Sequence, residues 1–449
     1  MSNSRKSFRK VAFATMAAAS MVALAACSGG TKDAATEEES GAENKPEEAT
    51  SEPVTIEYMH RLPDGEGMTS VEDIVAVWND EHPDIQVKTV KFDGAASDMI
   101  MKLETDIKAG EGPCLAQTGY AEVPELFVKD LFEDVTEEAK KYEDHFSSGA
   151  FAMMRVGETI VGLPQDVGPL VYFYNEAEFE ALGIEAPKHI DDLTAASEKA
   201  AEAGKYLTAF TPDEATYWLS AQAAAAGDEW FKAENDEWVV DTVGKGSEVV
   251  AEFWQNLLDK DLTLVEQRWG DGFEAALVDG SLIGHIGAAW ETGFLLDGLD
   301  GTDAEGQWRV ALLPEYGAGK MSGPDGGSGV SVMKGCEYPV QAMEFNDWFN
   351  TQIEPLTSQG LVVAAKGDPQ TSEKALAQFG GQDVAKVLAE ATESLNPKFV
   401  YMPGFSALSA MTATADNAAA GSTPVFSIFE TAQSTAVETL TNLGLPVAE

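Results

Sequence analysis

The side chains that most often carry catalysis form no recognisable catalytic motif in this sequence of 449 residues. Its five histidines are scattered, with neither a His-Glu-x-x-His zinc motif nor a Cys-x-x-Cys pair. Ser328 lies in Gly-Gly-Ser-Gly, which lacks the closing glycine of a nucleophile elbow. The run Gly319-Lys320-Met321 has a methionine where a phosphate-binding loop needs Ser or Thr. We therefore predict a protein that is not an enzyme and that uses no cofactor and no metal.

The acidic residues leave one enzymatic alternative open. The chain has 76 acidic and 29 basic residues, a net charge of −47. Glycoside hydrolysis needs a pair of carboxylates across a cleft, and so many acids generate pairs by chance. An exported glycoside hydrolase therefore stays as the enzymatic alternative. The same charge repels nucleic acid and anionic ligands, so we expect no nucleic-acid partner and a neutral or cationic solute.

A cysteine near the N-terminus lies where a lipid can be attached. Four basic residues between positions 5 and 10 precede an apolar run of small residues at 11–26, as in an export signal. The run ends Leu24-Ala25-Ala26-Cys27, which resembles the bacterial lipobox, whose cysteine is diacylated and becomes the mature N-terminus. We predict a lipoprotein signal peptide at 1–26 and a lipid anchor at Cys27, which holds the protein on the extracytoplasmic face of the bacterial cell membrane.

The segment after Cys27 differs in composition from the rest of the chain. Residues 31–53 are rich in Glu, Ala, Ser, Thr and Pro and contain no aromatic residue, so they cannot bury enough apolar surface to fold. We predict a flexible acidic tether at 27–53. Residues 54–449 are too many for one hydrophobic core, which predicts two lobes.

Strand-like and helix-like runs alternate after the tether, which predicts an α/β architecture with largely parallel sheets. The predicted strands are 54–59, 85–90 and 114–118, and the predicted helices are 70–79 and 96–108. Asp191 is predicted to cap a further helix that Gly204 closes. Trp78, Trp254 and Trp348 lie at helical spacing among apolar residues and are assigned to the core. Breaks rich in Pro and Gly, at 162–169, 317–329 and 397–404, suggest a chain that crosses between two lobes three times.

The residues around the first break carry a family resemblance. Val161-Gly162-Leu163-Pro164 opens a run that ends Tyr174-Asn175. This run resembles the first crossover of the family 1 extracellular solute-binding proteins, the maltose-binding-like group. Further matches follow in the family's order at 179–193, 288–290, 326–330, 342–345 and 402–405. His189-Ile190 departs from the family's usual Thr-Trp.

The resemblance implies a two-lobed periplasmic-binding-protein-like α/β fold with three interlobe crossovers. The N-terminal lobe would comprise 54–166 plus 327–398, and the C-terminal lobe 167–326 plus 399–449. A hinge would let the lobes close around a neutral oligosaccharide. The protein, expected to be a monomer, would deliver this sugar to the transmembrane permease subunits of an ABC importer. The alternative ligand is a polyamine or another cationic solute, which needs cleft carboxylates without a competing cation; Arg61 counts against it.

A sugar-binding cleft requires three kinds of group. Carboxylates accept hydrogen bonds from paired hydroxyls, aromatic rings cover the C–H faces of sugar rings, and glycine lets the backbone approach closely. By the resemblance, Trp290 is our first choice as a stacking platform. The loops that follow the strands, and the crossovers, supply the other candidates, which are His60, Arg61, Asp64, Glu66, Tyr120, Glu122, Gln165, Asp166, Trp218, Glu291, Gly326, Gly327 and Phe405.

The two cysteines outside the lipobox are candidates for a disulfide. Cys114 opens the third predicted strand, and Cys336 follows the strand that returns to the same lobe after the second crossover. In the family that this sequence resembles, the returning strand runs antiparallel to its neighbours, which would bring Cys336 beside Cys114. Export permits a disulfide, and two buried, reduced thiols are the alternative.

Overall fold

The structure, a computed structural model, describes residues 53–64, 68–93, 96–299 and 301–448. The predicted signal peptide, the lipidation site Cys27, all of the tether but its last residue, and Glu66 lie outside these ranges. Within them, no helix is both long enough and apolar enough to cross a membrane.

The strands are numbered in chain order. They are β1 (Val54–His60), β2 (Ile85–Lys91), β3 (Leu115–Gly119), β4 (Arg155–Val156), β5 (Thr159–Ile160), β6 (Gly162–Asn175), β7 (Ala209–Phe210), β8 (Phe231–Glu234), β9 (Glu237–Val240), β10 (Leu264–Val265), β11 (Gly284–Ala288), β12 (Trp308–Leu312) and β13 (Pro324–Val332).

The α-helices are numbered in the same way. They are α1 (Val71–Glu81), α2 (Ala96–Ala109), α3 (Val123–Val128), α4 (Thr136–Ala139), α5 (Ser148–Ala152), α6 (Glu176–Leu182), α7 (Ile190–Ala201), α8 (Ser220–Ala225), α9 (Lys245–Asp259), α10 (Asp271–Val278), α11 (Glu291–Leu299), α12 (Pro339–Asn350), α13 (Ile353–Ser358), α14 (Glu373–Gln378), α15 (Val384–Glu393), α16 (Met411–Ala419) and α17 (Phe426–Asn442). Short 3-10 helices cover Glu143–His145, Pro212–Glu214 and Phe405–Ala410, and a π-helical turn covers Ala215–Leu219.

The main sheet has the strand order β2–β1–β3–β13–β6–β11, with β12 also paired to β6. Strands β1, β2 and β3 are parallel to one another, as the alternation of strands and helices predicts. Strand β13 is antiparallel to both β3 and β6. The α/β architecture is the predicted one, but the expectation of largely parallel sheets is wrong for the main sheet, because β13 is antiparallel to β3 and β6, and β6 is antiparallel to β11 and β12.

Strand β6 is shared between two groups of strands. Its residues 162–169 pair with β13, whereas residues 170–175 pair with β11 and β12. The register against β13 shifts between Pro324 and Gly327. The chain therefore passes from one group of strands to the other within the first Pro- and Gly-rich break and again within the second, and the candidate site lies at these passages.

Two helices show how the local sequence sets an element's start. Helix α1 begins after Ser70, whose hydroxyl accepts a hydrogen bond from the Asp73 backbone N–H (3.1 Å), and its buried residues include Trp78, as predicted. The predicted cap of α7 is wrong, because the helix begins at Ile190 and its N-cap is His189. The Asp192 carboxylate accepts from the His189 backbone N–H at 3.1 Å, which leaves Asp191 inside the first turn.

The end of β13 lies beside the start of β3. Val332 is paired with Leu115, and the Met333 backbone N–H donates to the Cys114 carbonyl at 2.9 Å. The Cα atoms of Cys114 and Cys336 are 4.5 Å apart, and their sulfur atoms are joined in a disulfide. The antiparallel return strand thus has the register that the disulfide prediction required.

Candidate binding site

A cavity of about 350 Å³ lies where the ends of β3 and β11 approach β13. It is lined by Arg61, Gly119, Tyr120, Ala121, Glu122, Glu214, Tyr217, Trp290, Asp325, Gly326, Gly327 and Tyr401. Six of the predicted site residues are in this set: Arg61, Tyr120, Glu122, Trp290, Gly326 and Gly327. A larger cavity, about 480 Å³, lies between α13, residues 361–369 and α15, has a mainly apolar lining, and contains none of the predicted residues.

An ion pair forms the polar wall of the smaller cavity. Arg61 Nη1 lies 3.0 Å from Glu122 Oε1, and Nη2 lies 3.3 Å from Oε2, so the two planar groups meet fork to fork. Glu122 also accepts from the Gly119 backbone N–H at 2.8 Å. The Arg61 and Glu122 side chains remain 17% and 23% exposed. Together they offer donors and acceptors side by side, which suits a pair of neighbouring hydroxyls.

Aromatic side chains form another part of the lining. Trp290 lies two residues after the end of β11, is partly exposed, and donates its indole N–H to the Asp325 carbonyl at 2.9 Å. Tyr217 is also partly exposed, and burial raises its pKa to about 12, so its hydroxyl is a neutral donor at pH 7. The Tyr401 hydroxyl donates to the Pro324 carbonyl at 3.1 Å. The backbone carbonyls of Asp325 and Pro324 thus hold the polar atoms of two aromatic side chains that line the cavity.

Glycine is required where β13 passes the cavity. Gly327 has φ +101°, and a Cβ atom there would lie 2.7 Å from Tyr120 Cε2. Gly326 has φ +84° and approaches the Trp290 indole nitrogen. Both positions favour glycine through their backbone conformation, and Gly327 does so through space as well. The two glycines let the crossover strand run against both aromatic side chains.

A buried charge cluster lies behind Trp290. Glu291, a predicted site residue, is fully buried and forms an ion pair with Arg268. It also accepts from the Ala288 backbone N–H at 2.6 Å, and His285 Nε2 lies 3.1 Å from it. Burial alone would raise the pKa of Glu291, but the charges of Arg268 and then His285 outweigh it and hold the pKa at about 2. Glu291 is therefore an ionised anchor of the loop that carries Trp290 and does not line the cavity.

Three predicted residues lie outside the cavity lining, two of them on the crossover strand β6. Asp166 accepts a hydrogen bond from the Ser328 hydroxyl, and burial raises its pKa to about 6. Gln165 is buried, and its amide donates to Asn350 Oδ1 at 3.0 Å. His60 is buried, and burial lowers its pKa to about 4. Asp166 and Gln165 thus join the crossover strand to its neighbours, whereas His60 ends β1 with its ring 5.6 Å from that of Tyr58.

Three more predicted residues stabilise the surrounding structure. Asp64 Oδ1 accepts from the Val71 backbone N–H at 2.9 Å. Trp218 is fully buried and donates its indole N–H to the Ile286 carbonyl at 2.9 Å. Phe405 is fully buried, with its ring 5.2 Å from that of Tyr217. Trp218 and Phe405 therefore support the residues that line the cavity.

The sequence analysis missed seven residues of the site region. They are Gly119, Ala121, Glu214, Tyr217, Asp325 and Tyr401 in the lining, and Arg268 behind it. A signal existed for three of them, because Glu214 and Tyr217 lie in the polar segment 211–218 and Asp325 precedes the paired glycines. Among the described residues, no group of His, Cys, Asp or Glu side chains could hold a metal ion.

Comparisons with known proteins agree on one family. A family model described as bacterial extracellular solute-binding protein matches residues 63–352. The solved structure of the galacto-N-biose/lacto-N-biose I-binding protein of an ABC transporter from Bifidobacterium longum, in complex with lacto-N-biose, is 52% identical and has a TM-score of 0.79. The match covers 88% of this chain and 99% of that one.

Two more distantly related binding proteins are also similar to this chain. The arabinooligosaccharide-binding protein of Halalkalibacterium halodurans is 24% identical over 74% of this chain and 77% of its own length. An ABC transporter-associated binding protein from B. animalis subsp. lactis, in complex with β-1,6-galactobiose, is 23% identical, with a TM-score of 0.68 and coverage of 88% and 100%. The two-lobed α/β fold that the sequence predicts is the fold of such sugar-binding proteins.

Proposed function

Because this chain belongs to the family of bacterial extracellular solute-binding proteins, we propose that it captures a neutral oligosaccharide outside the cell and delivers it to the permease of an ABC importer. The observation that carries this proposal is the cavity lined by both Trp290 and the Arg61–Glu122 ion pair. An aromatic ring and a paired donor and acceptor in one cavity are the groups that a sugar ring needs, since its C–H face is apolar and its rim is hydroxylated.

The charges at the cavity favour a neutral ligand. Glu122 is neutralised by Arg61, and Asp325 and Glu214 lie 2.9 and 3.6 Å from Arg268. An anionic sugar would meet these carboxylates without a free cation. Arg61 is a cation at the cavity that a polyamine would have to meet, which counts against the cationic-solute alternative. Asp325 and Glu214 share the single guanidinium of Arg268 with Glu291, so the polyamine is included in the ligand screen as the competing class.

The relatives also weigh against catalysis and suggest which sugars to test. The proteins that this chain is similar to are named as binding proteins of transporters, which supports a protein without enzymatic activity. The 52% identical relative holds lacto-N-biose, so lacto-N-biose is the first sugar to test here. The lipid anchor at Cys27, the monomeric state and the lobe boundaries at 166/167, 326/327 and 398/399 are part of the same proposal.

A thermal-shift screen tests the proposal. The panel contains lacto-N-biose, β-1,6-galactobiose, maltotetraose and arabinooligosaccharides, with a polyamine as the competing ligand class. A sugar present at 100 times its Kd should stabilise the native state by about 2.7 kcal/mol. Stabilisation by the polyamine alone, or release of reducing ends from a panel sugar, would contradict the proposal.

Closure of the lobes is tested separately. Small-angle scattering with a saturating sugar from the panel should show a smaller radius of gyration than the ligand-free protein, because the strands that pass through the two breaks act as a hinge. An unchanged radius would refute closure and leave sugar binding untouched.

A further inference from the structure

The Trp290 ring is held by a side chain that does not line the cavity. Arg268 lies between β10 and α10, and its side chain is only 1% exposed. Its guanidinium carbon is 4.8 Å from the centroid of the Trp290 ring, a cation–π distance. Arg268 is buried and Trp290 is partly exposed at the cavity, so the guanidinium is a buried support over one face of the ring.

Three carboxylates from separate segments fix this guanidinium. Arg268 Nη2 is hydrogen-bonded to Glu291 Oε1, and Nη1 lies 2.9 Å from Asp325 Oδ2 and 3.6 Å from Glu214 Oε2. Asp325 and Glu214 themselves line the cavity. A planar guanidinium can serve several carboxylates at fixed angles, which a lysine ammonium cannot do in the same way. Arg268 thus connects the segments that form the cavity wall around Trp290.

The backbone beside Arg268 has an unusual conformation. Trp269 has φ +56°, a left-handed value that bulky residues rarely adopt. Its indole N–H donates to Glu291 Oε2 at 2.9 Å, and the Arg268 backbone N–H donates to Asp213 Oδ1 at 3.1 Å. The turn therefore directs two successive side chains onto the Glu291 carboxylate, and such strained residues persist where their surroundings hold them.

We propose that Arg268 is a positioning residue of the binding site, which fixes the Trp290 ring and the start of β13 without touching the sugar. This inference rests on the proposed function, because it assigns Trp290 to the ligand. A ring that is already ordered loses little conformational entropy when the sugar binds. Loss of Arg268 should therefore weaken binding through Trp290.

A double-mutant cycle separates this role from general support of the fold. Calorimetric titration with lacto-N-biose compares wild type, Arg268→Gln, Trp290→Ala and the double variant. Arg268→Gln is expected to weaken binding about 10-fold in the wild-type background and less than about 2-fold in the Trp290→Ala background, because contacting residues are coupled. An equal loss in both backgrounds, or no loss in the wild-type background, would overturn the proposal.

A second variant keeps the test informative if the glutamine variant does not fold. Removing a buried cation from its carboxylates destabilises a protein strongly. The second variant is therefore Arg268→Lys, which retains the positive charge and loses the planar guanidinium. Its binding is expected to be weaker than wild type by about 3- to 10-fold, and wild-type affinity would refute the role. Arg309→Gln, which removes an ion pair with Glu176 away from the cavity, is the matched control and should bind like wild type.

A measurement without ligand distinguishes this inference from the proposed function. The difference in near-ultraviolet circular dichroism between wild type and Trp290→Ala reports the ordered indole ring. The same difference in the Arg268→Lys background should be smaller, and an unchanged difference would count against positioning. If wild type binds no sugar of the panel, the proposed function fails, whereas this spectrum still decides whether Arg268 orders the ring.

Discussion

Replacing Trp290 with alanine tests the aromatic wall of the cavity. The substitution is expected to weaken sugar binding by about 1–3 kcal/mol, which is roughly 5- to 150-fold in Kd, the range for an aromatic residue at the centre of a contact. Calorimetric titration with lacto-N-biose measures the change in Kd, and urea unfolding measures the change in stability.

The expected loss of stability follows from the contacts of the indole. The variant loses the hydrogen bond to the Asp325 carbonyl, worth about 1 kcal/mol net, and the cation–π contact with Arg268, worth about 0.5–2 kcal/mol. Because Trp290 is partly exposed, the total should stay below the roughly 3–5 kcal/mol that truncation of a buried tryptophan costs.

A control tryptophan makes the result interpretable. Trp348 is also partly buried, lies on α12, and its ring is 5.4 Å from that of Trp78. Trp348→Ala should lower the unfolding free energy and leave Kd unchanged. If Trp290→Ala remains folded and binds as tightly as wild type, or if it unfolds where Trp348→Ala does not, Trp290 is a structural residue and the assignment is wrong.

Three further substitutions or assays test other parts of the structure. Denatured protein that begins at Ser28, and so lacks the Cys27 thiol, should show no titratable thiol, since Cys114 and Cys336 are bridged; two thiols would refute the bridge. Asp166 has a pKa raised to about 6, above its unfolded value near 3.9, so its stabilisation is fully present below about pH 4 and is lost as the pH rises through about 6. Asp166→Asn should remove this loss, of about 1–3 kcal/mol, and equal pH profiles in urea unfolding would contradict it. Gly327→Ala should destabilise more than Gly335→Ala, because both have positive φ but a Cβ atom at Gly335 meets nothing within 4 Å; equal unfolding free energies would refute the steric argument.

The fold could be predicted where local chemistry determines it. The start of α1 is set by Ser70 and the apolar residues that follow it, all within a few positions. The predicted start of α7 was wrong because His189, and not Asp191, is the N-cap. The backbone N–H of His189 donates to the carboxylate of Asp192, three residues later in the chain. The first two Pro- and Gly-rich breaks indicated where the chain passes between groups of strands, since β6 and β13 include residues of these breaks.

The site could be predicted only in part, because ion-pair partners cannot be read from one sequence. The positions of Arg268 and its three carboxylates, at 214, 291 and 325, are widely separated along the chain. Tyr217 and Trp218 are neighbours in the sequence, and the sequence analysis predicted Trp218 as the residue that lines the site. The π-helical turn Ala215–Leu219 departs from the α-helical period, so the sequence did not show that Tyr217 is the one at the cavity.

The most direct test of the central claim is a crystal structure of the protein grown with the panel sugar that stabilises it most. We predict electron density for a sugar ring against the Trp290 face, with hydroxyls within hydrogen-bond distance of Arg61 and Glu122. Density for the sugar in the larger cavity between α13 and α15, with the smaller cavity free of sugar, would contradict this account.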